Sequence, residues 1–189
     1  MRLLRKHWRR FAVLIPLVVV AAAYVFIRRM EAEITSPPRR GLMDYHRAFL
    51  DNPRSHGMRI DSFTASDGTP CLVVTPDGTA GERGMTLRAQ LAGRGIRLRP
   101  FGEAIGNLVL VHGRKGRKED YLGIAARFTA CGFRCVIPDM PAHGDHPAEF
   151  VTYGVHEAPI PALVLEEAAR RFEFSASPCG IMGISMGGS

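Results

Sequence analysis

The sequence has little cysteine, and the cysteines it has do not form a metal or redox motif. They are Cys71, Cys131, Cys135 and Cys179, so no Cys-x-x-Cys pair is present. No cluster of cysteine and histidine has the spacing of a zinc site. We therefore expect buried free thiols and no metal. A Cys131–Cys135 bridge is the alternative if the body of the protein lies outside the cytoplasm.

The body of the chain also lacks an excess of positive charge. The formal net charge is +7, but residues 1–40 hold nine Lys and Arg against two Glu. The remaining residues hold sixteen basic and sixteen acidic side chains and are neutral. Because the positive charge belongs to the N-terminus, the composition does not support a nucleic-acid-binding function.

A phosphate-binding loop is absent as well. Residues 113–118 read Gly-Arg-Lys-Gly-Arg-Lys, without the Gly-Lys-Ser/Thr ending that such a loop requires. The basic residues Arg114, Lys115, Arg117 and Lys118 predict a solvated surface loop. The alternative is that they attract an anionic acyl substrate or lipid headgroups.

One long apolar run is present near the N-terminus. Residues 11–27 are 17 residues without a charge, bracketed by Arg9-Arg10 and Arg28-Arg29. This length predicts a single membrane-spanning helix, and a signal sequence cleaved at Ala21–Ala23 is the alternative. The basic residues before the run outnumber those directly after it. This bias favours an internal N-terminus and an extracytoplasmic body.

The composition predicts three regions. Residues 1–29 form a basic tail and membrane anchor, or a signal sequence, and residues 30–57 form a juxtamembrane linker. Within this linker the sequence Thr35–Arg40 is expected to be stiff, because consecutive prolines favour extended backbone. Residues 58–189 form the folded domain.

Hydrophobic periodicity predicts an α/β fold for that domain. A hairpin is expected over 59–74, and its turn is Asp67-Gly68. Continuous apolar runs, typical of strands covered on both faces, occupy 107–111, 133–137 and 179–184. Helical patterns occupy 42–50, 86–91, 119–131 and 161–172. The alternation of strand and helix from residue 107 onward predicts right-handed crossovers and a mostly parallel sheet.

The sequence Gly183-Ile184-Ser185-Met186-Gly187 follows the last of these strands. Gly-x-Ser-x-Gly between a strand and a helix predicts a nucleophile elbow, a turn that exposes a serine hydroxyl. Gly183 and Gly187 suit it because strand and helix approach closely there. Ser185 is expected to have a strained backbone.

Two further motifs lie at the ends of the preceding strands. His112-Gly113-Arg114 follows the strand 107–111, and Asp139-Met140-Pro141-Ala142-His143-Gly144 follows the strand 133–137. With three motifs in this order, residues 58–189 resemble the α/β-hydrolase superfamily. The resemblance extends through strand five of an expected eight.

The resemblance implies a role for each motif residue. Ser185 would be the nucleophile, and the backbone N–H groups of Arg114 and Met186 would form the oxyanion hole. The remaining motif residues would hold the loops and the turn in place: His112, Gly113, Asp139, His143, Gly144, Gly183 and Gly187. The general base would come from a later strand, so neither histidine is expected to be the base. Asp139 is expected to fix a loop rather than to be the triad acid.

No His, Asp or Glu follows Ser185 in the sequence. We therefore expect the N-terminal part of a membrane-anchored serine hydrolase, inactive and poorly soluble when expressed alone. The whole protein would cleave a carboxylic ester, thioester or amide of a small or lipid-like acyl substrate, with no metal or organic cofactor. The alternative is a non-catalytic, membrane-anchored binding or scaffold protein with a hydrolase-like fold.

Overall fold

The computed structural model describes residues 2–188 and divides into two units between Pro37 and Pro38. The first unit is a single helix, α1, over Arg2–Thr35, with Pro16 inside it. From Phe11 to Thr35 this helix is long and apolar enough to cross a membrane. The charge-free run therefore lies in a helix, which continues eight residues beyond Ile27.

The second unit contains four helices and five strands among the described residues. The helices are α2 (Asp44–Asp51), α3 (Glu82–Ala92), α4 (Leu122–Ala130) and α5 (Ile160–Arg171). The strands are β1 (Met58–Thr64), β2 (Pro70–Pro76), β3 (Gly106–Val111), β4 (Phe133–Pro138) and β5 (Cys179–Gly183). Short 3-10 turns occupy Pro53–His56, Lys118–Tyr121 and Ser185–Gly188.

The five strands form one mixed sheet in the order β1-β2-β4-β3-β5. β1 pairs antiparallel with β2, and β2 pairs antiparallel with β4. β3 pairs parallel with β4 on one side and with β5 on the other. The carboxyl ends of β3, β4 and β5 therefore meet at one edge of the sheet, where an α/β fold places its functional loops.

The two faces of the sheet bury separate apolar clusters, because side chains alternate along each strand. On one face, Val109 and Val111 pack in a cluster with Val164 and Ala168 of α5. On the other face, Leu110 packs with residues of α4 such as Leu122. β3 is thus covered on both sides, as its continuous apolar run predicted.

The predicted strands and helices are present, with three differences. α3 begins at Glu82, four residues before the predicted start. The helix predicted from Glu119 is a 3-10 turn followed by α4. β5 was expected to be buried, but Ile181 is 61% exposed because β5 pairs with β3 alone among the described strands.

The four cysteines are free, and only two of them are buried. Cys71 and Cys135 lie in β2 and β4, whereas Cys131 is half-buried and Cys179 is exposed in β5. Burial raises the pKa of the Cys71 and Cys135 thiols well above its ordinary value. The expectation of buried thiols was therefore wrong for Cys179, and no Cys131–Cys135 bridge forms.

Candidate active site

The turn after β5 has the tight geometry that its glycines predict. A Cβ atom built on Gly183 would lie 1.7 Å from the carbonyl oxygen of Gly187. One built on Gly187 would lie 2.4 Å from the carbonyl oxygen of Val111 in β3. Because these neighbours are backbone atoms, no side-chain rotation relieves either clash. The motif spacing is therefore a steric requirement of this turn.

Ser185 lies at the apex of this turn with a φ of +55°. A residue with a Cβ rarely adopts this left-handed conformation, which stores strain at a defined point. Gly187 N–H donates to the carbonyl of Ile184 at 3.1 Å and closes the turn around Ser185. The serine is exposed at the carboxyl edge of the sheet. Its strained backbone is as predicted, whereas its role as a nucleophile stays a prediction.

The loop after β3 lies directly against this turn. A Cβ atom built on Gly113 would lie 3.3 Å from Cβ of Ser185 and 3.0 Å from the carbonyl oxygen of Ile184. The backbone at Gly113, the residue before Arg114, therefore passes beside Ser185. Within the loop, Gly116 N–H donates to the carbonyl of Gly113 at 3.0 Å, and Lys115 has a φ of +60°. The structure thus brings two of the predicted motifs together.

His112 is fully buried, and both of its ring nitrogens contact backbone groups. Met140 N–H donates to Nε2 at 3.0 Å, which leaves Nδ1–H to donate to the carbonyl of Gly113 at 2.9 Å. Burial lowers the pKa of His112, so the neutral ring is favoured. His112 therefore joins the loop after β3 to the loop after β4.

His143 packs its ring against His112, with 5.1 Å between the ring centroids. Its Nδ1 lies 2.7 Å from the carbonyl oxygen of Pro141, and its Nε2 is buried without a hydrogen-bond partner among the described residues. Burial lowers the pKa of His143 as well. The two histidines thus form a neutral, buried pair behind the loops.

Asp139 is the buried centre of a charged cluster. Its Oδ1 accepts the backbone N–H of Lys118 at 2.7 Å, and its Oδ2 accepts the backbone N–H of Asp145 at 2.8 Å. The Nζ of Lys118 donates to the same Oδ2 at 2.8 Å. A Cβ atom built on Gly144 would lie 2.1 Å from Oδ1, so only glycine fits there. Asp139 therefore ties the loops after β3 and β4 together, as a loop-fixing carboxylate would.

The basic loop is not the solvated surface that its sequence predicted. Lys118 and Arg117 are about 5% exposed, and both are paired with acidic residues. Arg117 Nε donates to Glu119 at 2.5 Å, and Lys118 Nζ also contacts Asp145 at 2.5 Å. Two of the four basic residues are therefore internal, because they neutralise buried carboxylates. Arg114 and Lys115 are half-buried.

An apolar cleft of about 530 Å³ adjoins the turn. Its lining includes Val111, Met140, Ile181 and Met186. Glu157 orders its far wall by accepting the backbone N–H groups of Thr152 and Gly154 at 2.6 and 2.7 Å. A cleft of this composition can hold an uncharged, apolar group beside Ser185. Within residues 2–188, no three His, Cys, Asp or Glu side chains are grouped to bind a metal.

A third contributor, the segment that precedes α2, was not predicted from the sequence. Arg39 and Arg40 were assigned to a stiff linker, yet both hydrogen-bond to the loops of the site. Tyr45 and His46 of α2 both bind Asp120. The one available signal was the pair of arginines directly after two prolines, and charge counting attributed them to the basic tail.

The chain resembles known proteins in its three-dimensional structure, and no match was found by sequence. No protein-family model and no curated protein sequence matches the chain. Two crystal forms of an esterase from Pyrococcus furiosus match with TM-scores of 0.52 and 0.50, at 16% identity. These matches cover 82% and 80% of this chain but 48% and 49% of the esterase. A bacterial membrane phospholipase A matches with a TM-score of 0.41 at 17% identity, over 95% of this chain and 45% of that protein.

The sheet order, its parallel core and the two esterase matches define the class of structure. The chain has the α/β-hydrolase fold over its second unit, and it spans about half the length of the solved structures it matches.

Proposed function

We propose that this chain provides the nucleophile and the oxyanion hole of a serine hydrolase acting on a carboxylic ester. The observation that carries the proposal is the left-handed backbone of Ser185 at a turn closed by Gly183 and Gly187. Such strain persists only where the surrounding structure enforces it. The close passage of the Gly113 loop beside the same serine supports the second half of the proposal.

In the proposed reaction, Oγ of Ser185 forms a bond to the substrate carbonyl carbon as its proton passes to a histidine base. The developing oxyanion is bound by the backbone N–H groups of Arg114 and Met186. Removing one such donor typically costs about 3 kcal/mol of transition-state stabilisation. The C–O bond to the alcohol then breaks, the protonated base supplies its proton, and an acyl-enzyme remains. Water, deprotonated by the same base, releases the acid and restores the serine.

The base and the acid of this reaction are proposed to come from residues after Ser185. On this fold the triad follows the chain order Ser, then Asp or Glu, then His. His112 is a poor candidate because its Nε2 already accepts the backbone N–H of Met140. His143 is a poor candidate because its ring is buried against His112. Asp139 is equally unsuited, since its two oxygens already accept backbone N–H groups.

The proposed substrate is an ester with an uncharged, apolar acyl group, and thioesters and amides share the same chemistry. The apolar cleft beside Met186 supports this choice. The esterase from Pyrococcus furiosus shares the fold, which agrees with a hydrolase without fixing its substrate.

The N-terminal region is proposed to anchor the enzyme in a membrane. Residues 1–29 would be the basic tail and single span, 30–57 the juxtamembrane region, and 58–189 the part of the hydrolase domain present in this chain. The length and apolar composition of α1 support the span, and the basic residues before it favour an extracytoplasmic body. Digestion of the body by a protease added to intact cells would support this orientation, and protection until lysis would contradict it.

A fluorophosphonate probe tests the nucleophile directly. We expect it to label the protein expressed from its complete reading frame, and Ser185→Ala to abolish the label. Ser62→Ala is the matched control, because Ser62 is an exposed serine on β1. A folded protein that takes no label, or keeps it in the Ser185 variant, would favour the alternative of a non-catalytic scaffold.

A further inference from the structure

The segment 38–46, here called the N-terminal arm, holds the loop after β3 from outside. Nε of Arg40 donates to the backbone carbonyl of Lys115 at 2.7 Å. Nη2 of the same guanidinium donates to Asp120, which lies at the other end of this loop. One planar side chain thus contacts the middle of the loop at Lys115 and the turn that follows the loop at Asp120.

Asp120 forms further hydrogen bonds with both the N-terminal arm and the loop after β3. Its Oδ1 accepts the hydroxyl of Tyr45 at 2.8 Å and lies 2.9 Å from Nε2 of His46. Its Oδ2 accepts the backbone N–H of Arg117 at 3.0 Å. Arg117 in turn donates from Nη1 to the carbonyl of Arg40 at 2.9 Å. The arm therefore donates hydrogen bonds to the loop and also accepts one from it.

The loop needs such support because its backbone is strained at Lys115. Lys115 has a φ of +60°, a conformation that costs a residue with a side chain about 1 kcal/mol or more. Inside the loop, the bond from Gly116 to Gly113 closes the turn. The bond from Arg40 fixes the carbonyl of Lys115, which belongs to the same peptide unit as the Gly116 N–H. That N–H in turn holds the Gly113 carbonyl, which belongs to the peptide unit that contains the Arg114 N–H.

We propose that Arg40 is a positioning residue of the oxyanion loop, acting through the Lys115 carbonyl and Asp120 to hold the Arg114 amide beside Ser185. This inference rests on the proposed function, since it concerns a donor of the proposed oxyanion hole. Arg39 extends the arm to the neighbouring loop, because its Nη2 donates to the carbonyl of Ala148 at 2.7 Å.

The expected effect on catalysis exceeds the strength of the ion pair itself. The Arg40 side chain is 47% exposed, so its pairing with Asp120 adds little to stability. A small displacement of a transition-state donor, in contrast, can lower a rate about 100-fold. Because the oxyanion forms only in the transition state, the loss should fall on kcat and leave KM nearly unchanged.

The test compares three variants in the protein expressed from its complete reading frame. With a p-nitrophenyl ester, Arg40→Ala should lower kcat about 10- to 100-fold and change KM by less than about twofold. Arg40→Lys should restore part of the rate, because an ammonium group can make one of the two contacts. Arg47→Ala is the matched control, an exposed arginine of α2 whose loss should leave both constants unchanged.

Hydrogen exchange of the amides of residues 113–117 supplies a readout that needs no activity. Arg40→Ala should speed exchange there several-fold, while β2 and β4 remain protected. Unchanged exchange in the loop overturns the inference, whether or not the protein is an enzyme. Wild-type labelling by the fluorophosphonate together with an unchanged kcat in Arg40→Ala also overturns it. The loss of fluorophosphonate label in Ser185→Ala tests the proposed function separately from the role of Arg40.

Discussion

The loops after β3 and β4 and the turn after β5 lie at the same edge of the sheet, but they are fixed by different means. Buried charges and hydrogen bonds join the first two, centred on Asp139, Lys118 and His112. The turn after β5 is fixed by close backbone contact at Gly183 and Gly187. The Ser185 turn should therefore be sensitive to added volume, and the loops after β3 and β4 to charge and pH.

The strongest test of this comparison adds one methyl group to the turn. Gly187→Ala would place Cβ 2.4 Å from the carbonyl oxygen of Val111, at the carboxyl end of β3. We expect a loss of about 5 kcal/mol in the free energy of unfolding, because β3 or β5 must move. Gly78→Ala is the control, since a Cβ there meets nothing within 4 Å. Equal urea midpoints for the two variants would show that the turn is not sterically fixed.

The second test removes a charge from the loops without changing volume. Asp139→Asn leaves the Lys118 ammonium group with fewer anionic partners in a buried site. Breaking a buried pair costs about 3 kcal/mol, and replacing Lys118 by Met in the same chain should restore part of it. Urea unfolding of the single and double variants measures the coupling. Additive losses would contradict a shared cluster.

The third test uses pH, to which the turn should be insensitive. Burial lowers the pKa of His112, His143 and His146 from 6.5, so folding favours their neutral forms. Stability is therefore complete above pH 6.5 and falls as the pH drops toward 5, because the unfolded chain takes up protons first. Each histidine contributes up to about 1.4 kcal/mol per pH unit.

Unfolding free energies between pH 7.5 and 5 check this slope. His112→Asn should reduce it, and His156→Gln, at an exposed position, should not. A flat profile in the wild-type chain would show that the buried histidines do not titrate on unfolding.

The smallest effect concerns the strand that leads to Ser185. Cys179 is exposed in β5, whereas Cys135 is buried in the adjoining half of the sheet. In the soluble fraction of the 189-residue chain a thiol reagent should modify Cys179 first, and Cys179→Ser should remove that phase with less than about 0.5 kcal/mol lost. Modification of Cys135 at the same rate would mean that the sheet opens as a whole.

Local patterns predicted what depends on local chemistry. The apolar runs of β3 and β4 and the glycines around Ser185 have one clear physical use, so strands, turn and fold class followed from them. The burial of Arg117 and Lys118 did not follow, because it depends on carboxylates that lie elsewhere along the chain. The contacts of Arg40 could not be predicted for the same reason, since its partner Asp120 is 80 residues away.

The position of Arg39 and Arg40, four and five residues after the end of α1, has a practical consequence for anyone removing the apolar helix to obtain a water-soluble protein. A truncation that starts at residue 41 or later discards both arginines and would yield a folded protein with a loosened site. Starting at Pro38 instead keeps them, as would natural processing at Ala21–Ala23. Low activity in a shortened version should therefore first prompt a check of where its N-terminus lies.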